Sequence, residues 1–116
     1  MLVNGTRVQV YLPVNTTHEK SAARRVIKFL YDTYEGVTQS SLSESIYRGY
    51  WFDADNEVLY QDDIAIAWVD IRHLIDDQDA CAQMDLIRNR AAIVYSELGS
   101  PQLEIWITAE SVILPS

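Results

Sequence analysis

The chain predicts an α+β domain of β-α-β-β-α-β order, and three observations carry that prediction. Two segments alternate apolar and polar residues strictly, Arg7 to Leu12 and Leu103 to Thr108. Two others space apolar residues at helical intervals, Ala23 to Tyr34 and Ala80 to Leu98. Between those helices lies a long aromatic and branched stretch, Val37 to Val69, with a polar turn inside it.

The first strand places Val8, Val10 and Leu12 on one face and Arg7, Gln9 and Tyr11 on the other, and Pro13 ends it by withholding an amide. Thr16 and Glu19 then stand at capping-box spacing and open the first helix. Its stripe is Ala23, Val26, Ile27, Leu30 and Tyr34, with Lys20, Arg24, Arg25 and Lys28 on the remaining faces and Gly36 as the expected left-handed stop. Ser45 to Phe52 reads as a strand, Asp53-Ala54-Asp55-Asn56-Glu57 as a polar turn, and Val58 to Val69 as the returning strand. Ile64, Ile66 and Trp68 fall on one face of that strand; Ala65, Ala67 and Val69 fall on the other. Both faces are apolar, so the strand is expected at the centre of the sheet, and the pattern leaves open which face looks inward. Asp76, Asp77 and Asp79 suit the positive end of a second helix. Its stripe is Ala80, Met84, Ile87, Ala91, Val94 and Leu98, closed by Gly99 and Pro101. Leu103, Ile105 and Ile107 alternate with Glu104, Trp106 and Thr108 in the last strand.

Two right-handed crossovers over one sheet face give a ferredoxin-like two-layer sandwich, a four-stranded antiparallel sheet with two helices on one face. Residues 1–116 are read as a single domain, long enough to bury roughly 65% of its unfolded surface in one core. A lone cysteine, Cys81, and an N-terminus without a basic and then apolar run predict a cytoplasmic protein. No apolar run approaches the ~20 residues that span a bilayer. Seventeen acidic against nine basic side chains leave a net charge of −8, which repels phosphate backbones and anionic lipid. Nucleic acid and membrane are therefore unlikely partners, and a protein partner suits the charge better.

The constellations for chemistry are sparse. Asp53, Asp55, Asn56 and Glu57 imitate a calcium loop, but Val58 and Ile64 occupy the positions that require glycine and glutamate. Asp62 and Asp63 are adjacent, so on a strand they point to opposite faces and make a poor acid–base dyad, although they fit a bulge or an edge segment. His18 and His73 lack metal-ligand spacing, and the four glycines form no phosphate loop. Neither a metal nor a cofactor is expected. The basic helix residues, Arg88 and Arg90 included, read as a solvated face, and Tyr47-Arg48-Gly49-Tyr50-Trp51-Phe52 is not the aromatic-basic signature of RNA-binding sheets.

Gly36-Val37-Thr38, then Gly49-Tyr50-Trp51, then a polar turn and Glu57 resemble small uncharacterised bacterial and phage proteins of ferredoxin-like build. The resemblance covers the middle third of the chain, with a longer Thr-to-Gly spacing and no turn glycine. It implies the fold and carries no activity.

Two functions follow from these residues. The first is a non-enzymatic binding or regulatory module that forms a homo-oligomer through an aromatic open sheet face, with Tyr11, Trp51, Trp68 and Trp106 as its contacts. The second is a small cofactor-free enzyme. Its pocket would lie between sheet and helices, lined by Tyr47, Trp51 and Trp68, with His73 and Asp70 as an acid–base pair.

Overall fold

The computed structural model describes residues 1–42, 47–72, 76–100 and 104–115, with all of their side chains except that of Trp51. Its elements are β1 (Leu2–Pro13), α1 (Thr17–Tyr34), β2 (Thr38–Gln39), β3 (Tyr47–Asp53), β4 (Val58–Arg72), α2 (Asp77–Glu97) and β5 (Trp106–Pro115). Two helices and an antiparallel sheet make the protein α+β, as predicted. Among the described residues the sheet has five strands where the sequence predicts four. They run β2-β4-β1-β5, and β3 joins β2 along the same edge of β4.

The extra strand, β2, lies before the predicted strand Ser45–Phe52, of which Ser45 and Ile46 lie outside the described residues; it takes the same edge of β4 as β3. Gln39 sits opposite Ala67 and Tyr47 opposite Ile64, so eight steps of chain answer three on β4, and the Ser40 amide still donates to the Ile66 carbonyl at 2.8 Å. Other boundaries also move. The left-handed stop of α1 is Glu35, at φ 61°, whose amide donates to the Tyr31 carbonyl; Gly36 is not the capping residue. Strand β5 begins at Trp106 and continues to Pro115, beyond the predicted end at Thr108, because β1 supplies partners from Tyr11 back to Leu2. The β3–β4 register is unbroken past Asp62 and Asp63, so the expected bulge is absent there.

The core is the helix-facing side of the sheet. Val8, Val10 and Leu12 of β1 are fully buried, and Ala65, Ala67 and Val69 of β4 are nearly so. They meet Ala22, Ala23, Val26 and Leu30 of α1 and Ile87, Ala91, Val94 and Tyr95 of α2. The alanines of β4 let helix side chains approach the sheet closely, which answers the orientation the sequence left open. Each large aliphatic side chain fully buried here contributes about 1.5–3 kcal/mol relative to exposure.

Polar contacts lock the corner where β1 turns into α1. The Thr16 hydroxyl accepts from the Glu19 amide at 3.0 Å, capping the helix. The Glu19 carboxylate reaches back to the Asn15 amide at 2.9 Å, one residue further than an ideal capping box. Asn15 in turn accepts from the Asp63 amide and donates to the Asp62 carboxylate, tying this corner to β4. From the other side, the buried Tyr95 hydroxyl donates to the Pro13 carbonyl at 2.8 Å. No helix among the described residues is long and apolar enough to cross a membrane.

Candidate interaction surface

The sheet face turned away from the helices is organised by the register of three strands. Ile66, Tyr11 and Trp106 stand side by side across β4, β1 and β5. Trp68, Gln9 and Thr108 form the next row, and Asp70, Arg7 and Glu110 the one after. Alternation sends every second residue to this face, so the rows lie about 7 Å apart. The surface thus grades from apolar through mixed to charged over three rows.

Hydrogen bonds fix the rows to one another. The hydroxyls of Tyr11 and Thr108 both donate to Gln9 Oε1, at 3.3 and 3.2 Å. Arg7 makes a bidentate pair with Asp70, Nε to Oδ1 at 2.8 Å and Nη2 to Oδ2 at 3.1 Å. Its guanidinium also lies over the Trp68 ring, 5.7 Å from the centroid. Hydrogen bonding to Asp70 raises the Arg7 pKa above the usual arginine value against partial desolvation, and the charges of Asp70 and Glu110 add to the rise. Trp68 is thereby half-covered from within the chain. Trp106 has no such cover and is 69% exposed.

Beyond this body the sheet continues as an arm. Strand β1 pairs with β4 only from Ile64 onward, and Val14 and Asn15 reach only as far as Asp62 and Asp63, so among the described residues the backbone of Val58 to Gln61 pairs with β3 alone. The molecule is 50 Å long against 28 and 26 Å in its other directions. Tyr50, Phe52 and Leu59 lie on the helix side of the arm, past the reach of either helix, and each is more than 60% exposed. Tyr47, Val58 and Tyr60 are exposed on the opposite side. The arm is therefore apolar on both faces and covered on neither among the described residues. At its tip the Asp53 carboxylate accepts from the Asn56 side chain and from the amides of Asp55 and Asn56. Those bonds, chiefly that to the Asn56 side chain, hold Asp53 below the usual carboxylate range. The imitation calcium loop is thus an ordinary hydrogen-bonded turn.

Of the residues the sequence singled out, Tyr11 and Trp106 are cross-strand neighbours, and Trp68 lies one row on from Tyr11. Trp51 pairs with Tyr60 in the arm. It is about 26 Å along β4 from Trp68, and its side chain lies outside the described residues. Tyr47 and Trp68 both belong to the open face, so they do not line a pocket between sheet and helices; the alanines take that side. Asp70 is committed to Arg7, and His73 lies outside the described residues. His18 and Cys81 are exposed. No group of three or more histidine, cysteine or acidic side chains among the described residues is placed to hold a metal. Sequence reasoning missed Arg7, Gln9 and the exposure of Tyr50, Phe52 and Leu59. The available signal was the polar set Arg7-Gln9-Tyr11 on one strand face.

Two open hollows lie elsewhere among the described residues. One, of about 370 Å³, lies where β1 and β5 meet the start of α2, beside Thr6, Asp76, Asp77 and Glu110. The other is a groove of about 510 Å³ between the helices, lined by Arg25, Lys28 and Phe29 of α1 and by Arg90, Ile93 and Glu97 of α2.

No family model matches the chain, and no curated protein matches it either. Solved structures do. A phage SAM lyase in complex with S-methyl-5'-thioadenosine superposes with a TM-score of 0.58 at 8% identity, over 97% of this chain and 90% of that one. The apo phage SAM lyase gives 0.54 at 8% identity, over 93% and 81%. A dinuclear metal-binding peptidase of the M20 family from Bacillus subtilis gives 0.41 at 16% identity, with only 26% of its chain covered. At these identities the likeness to the lyase is one of fold.

Proposed function

We propose that the chain is a binding or regulatory module that self-associates through the open face of its sheet. The observation that carries this reading is the row Ile66–Tyr11–Trp106, an apolar band that ends in an indole exposed over more than two thirds of its surface. β1 pairs with β4 over Ile64–Arg72, so the three-strand part of the face is about 30 Å by 15 Å, roughly 450 Å², and the two-strand arm adds about 200 Å². Together they approach the area of about 800 Å² that one partner of a stable complex usually buries. The charged row Asp70–Arg7–Glu110 would form the polar rim that such interfaces carry. Taking β2 and β3 as one interrupted strand, the order β2/β3-β4-β1-β5 supports a ferredoxin-like sheet with a split edge. The acidic balance favours a protein, above all a second copy, over nucleic acid, and a cytoplasmic setting suits the lone thiol.

Light scattering over a range of protein concentrations tests the reading. At about 500 mM salt, where surface charges are screened, a dimer is expected at micromolar concentration, and Trp106→Glu should return it to monomer. A wild-type monomer at every concentration would remove the proposal.

A second reading is favoured by the whole-length likeness to the phage SAM lyase, which was solved with S-methyl-5'-thioadenosine. Under it the chain is a small enzyme acting on SAM, and the open aromatic surface would receive the adenine ring or the sulfonium cation. Chromatography of SAM incubated with the protein would show S-methyl-5'-thioadenosine accumulating. Unchanged SAM would sink this reading and leave the first intact.

A further inference from the structure

Charge is unevenly divided between the arm and the helices. From Gly49 to Ile71 the sequence has no lysine or arginine, whereas Asp53, Asp55 and Glu57 crowd the five-residue tip. Neither Asp55 nor Glu57 has a cationic partner among the described residues. The helices hold six of the nine cations, Lys20, Arg24, Arg25, Lys28, Arg88 and Arg90. In the groove between them, Arg25 is only loosely paired with Glu97, at 3.6 Å and half exposed, and Lys28 is paired with Asp32. Arg90 stacks on Phe29 at 5.4 Å and has no carboxylate partner among the described residues. Ile93, about half exposed, gives the groove an apolar wall. The groove lining sets the three cations Arg25, Lys28 and Arg90 against two carboxylates, Asp32 and Glu97, a positive excess in a chain of net charge −8 that suits an anionic, partly apolar ligand.

We infer that the groove between α1 and α2 receives the β3–β4 hairpin tip of a second copy of the chain. The tip matches it in both respects. Asp55 and Glu57 would face Arg25 and Arg90, and Arg25 would exchange its weak surface pair with Glu97 for an intermolecular one. Phe52, Val58 and Leu59, exposed just behind the turn, would cover Phe29 and Ile93. An arm that is apolar on both faces needs cover on both, which the open-face contact alone does not give. The tip and the groove are different surfaces, so the contact is head-to-tail, and such contacts propagate into rings or chains. It is independent of the open-face contact and, unlike that one, it is held by exposed charges and weakens with salt.

Sedimentation velocity in a Trp106→Glu background, which removes open-face association, isolates this contact. At about 50 mM salt, species larger than a monomer are expected, and at about 500 mM, where screening shortens to a few ångströms, they should dissociate. The tip variant Asp53→Asn/Asp55→Asn/Glu57→Gln and the groove variant Arg25→Glu/Arg90→Glu should each be monomeric at low salt. Mixed in equal amounts they should form a heterodimer and nothing larger, because one supplies a groove and the other a tip. That rescue shows that both variants are folded. A monomeric parent at low salt, a tip variant that associates like the parent, or a mixture that remains monomeric would each overturn the inference.

Discussion

Strand β4 passes through two environments, and the contrast between them is instructive. In the body, Ala65, Ala67 and Val69 are buried beneath the helices, while Ile64, Ile66 and Trp68 are half-buried on the other face. In the arm, Val58, Leu59 and Tyr60 are as apolar and yet exposed on both faces. The strand geometry is the same throughout and the register never slips. What changes is the presence of a helix layer and of β1 as a neighbour. Hydrophobic side chains in a strand thus become core or contact surface according to what the rest of the chain places over them.

That contrast predicts unequal costs for like substitutions. Leu12→Ala, in the body, should destabilise the fold by about 2–5 kcal/mol, whereas Leu59→Ala, in the arm, should change it by about 0.5 kcal/mol or less. Urea unfolding of the two variants compares them directly, and similar costs would mean that the arm packs against something within its own chain. Gly5→Ala comes next. A Cβ there would lie 2.6 Å from Leu114 Cδ1 and 2.8 Å from the Ile71 carbonyl oxygen, so a loss of about 1–3 kcal/mol is expected. At Gly36 a Cβ would meet nothing within 4 Å, and Gly36→Ala should be near neutral in the same melt.

A smaller effect comes from Tyr95. Tyr95→Phe leaves the Pro13 carbonyl without its donor and should cost about 1 kcal/mol. Burial raises the pKa of Tyr95, and that of Tyr34, above the ordinary tyrosine value of 10.0. Above that pH the unfolded chain has released protons that the folded chain retains, so stability should fall as pH rises past about 10 and be unaffected by these groups below it. A urea midpoint followed upward from neutral pH checks this. Tyr34→Phe/Tyr95→Phe should flatten the alkaline fall, and an unchanged slope would assign it to other groups. Smallest in stability is Trp106→Glu, expected to leave the midpoint within about 0.5 kcal/mol while abolishing dimerisation in light scattering.

Much of the body was legible because its signals are local. Val8-Val10-Leu12 alternates, and Thr16 and Glu19 announce α1. Ile87, Ala91 and Val94 give the inner stripe of α2. Other features required partners distant in the sequence. Strand β2 is two residues long, too short to alternate, and exists because Trp68 and Ala67 offer it an edge. The continuation of β5 through Ala109-Glu110-Ser111 has no apolar pattern and follows from pairing with β1. Ala65–Val69 and Ile64–Trp68 were equally credible as the inner face until the helices chose the smaller side chains. Tyr11 and Trp106 were both placed outward by alternation, but only register makes them neighbours. The exposure of Tyr50, Phe52 and Leu59 was illegible for the most general reason, that a strand's own residues do not say what will cover them.

The unbroken pairing of the arm also constrains how lineages of this protein can diverge. From Tyr47 opposite Ile64 to Asp53 opposite Val58 no residue is out of step. Losing or gaining one residue in a single strand would turn over every side chain between that point and the turn, exchanging the two aromatic faces. Removing one cross-strand pair at the tip would shorten the arm and leave the remaining faces as they are. Descendants that keep the arm should therefore differ in its length by even numbers of residues.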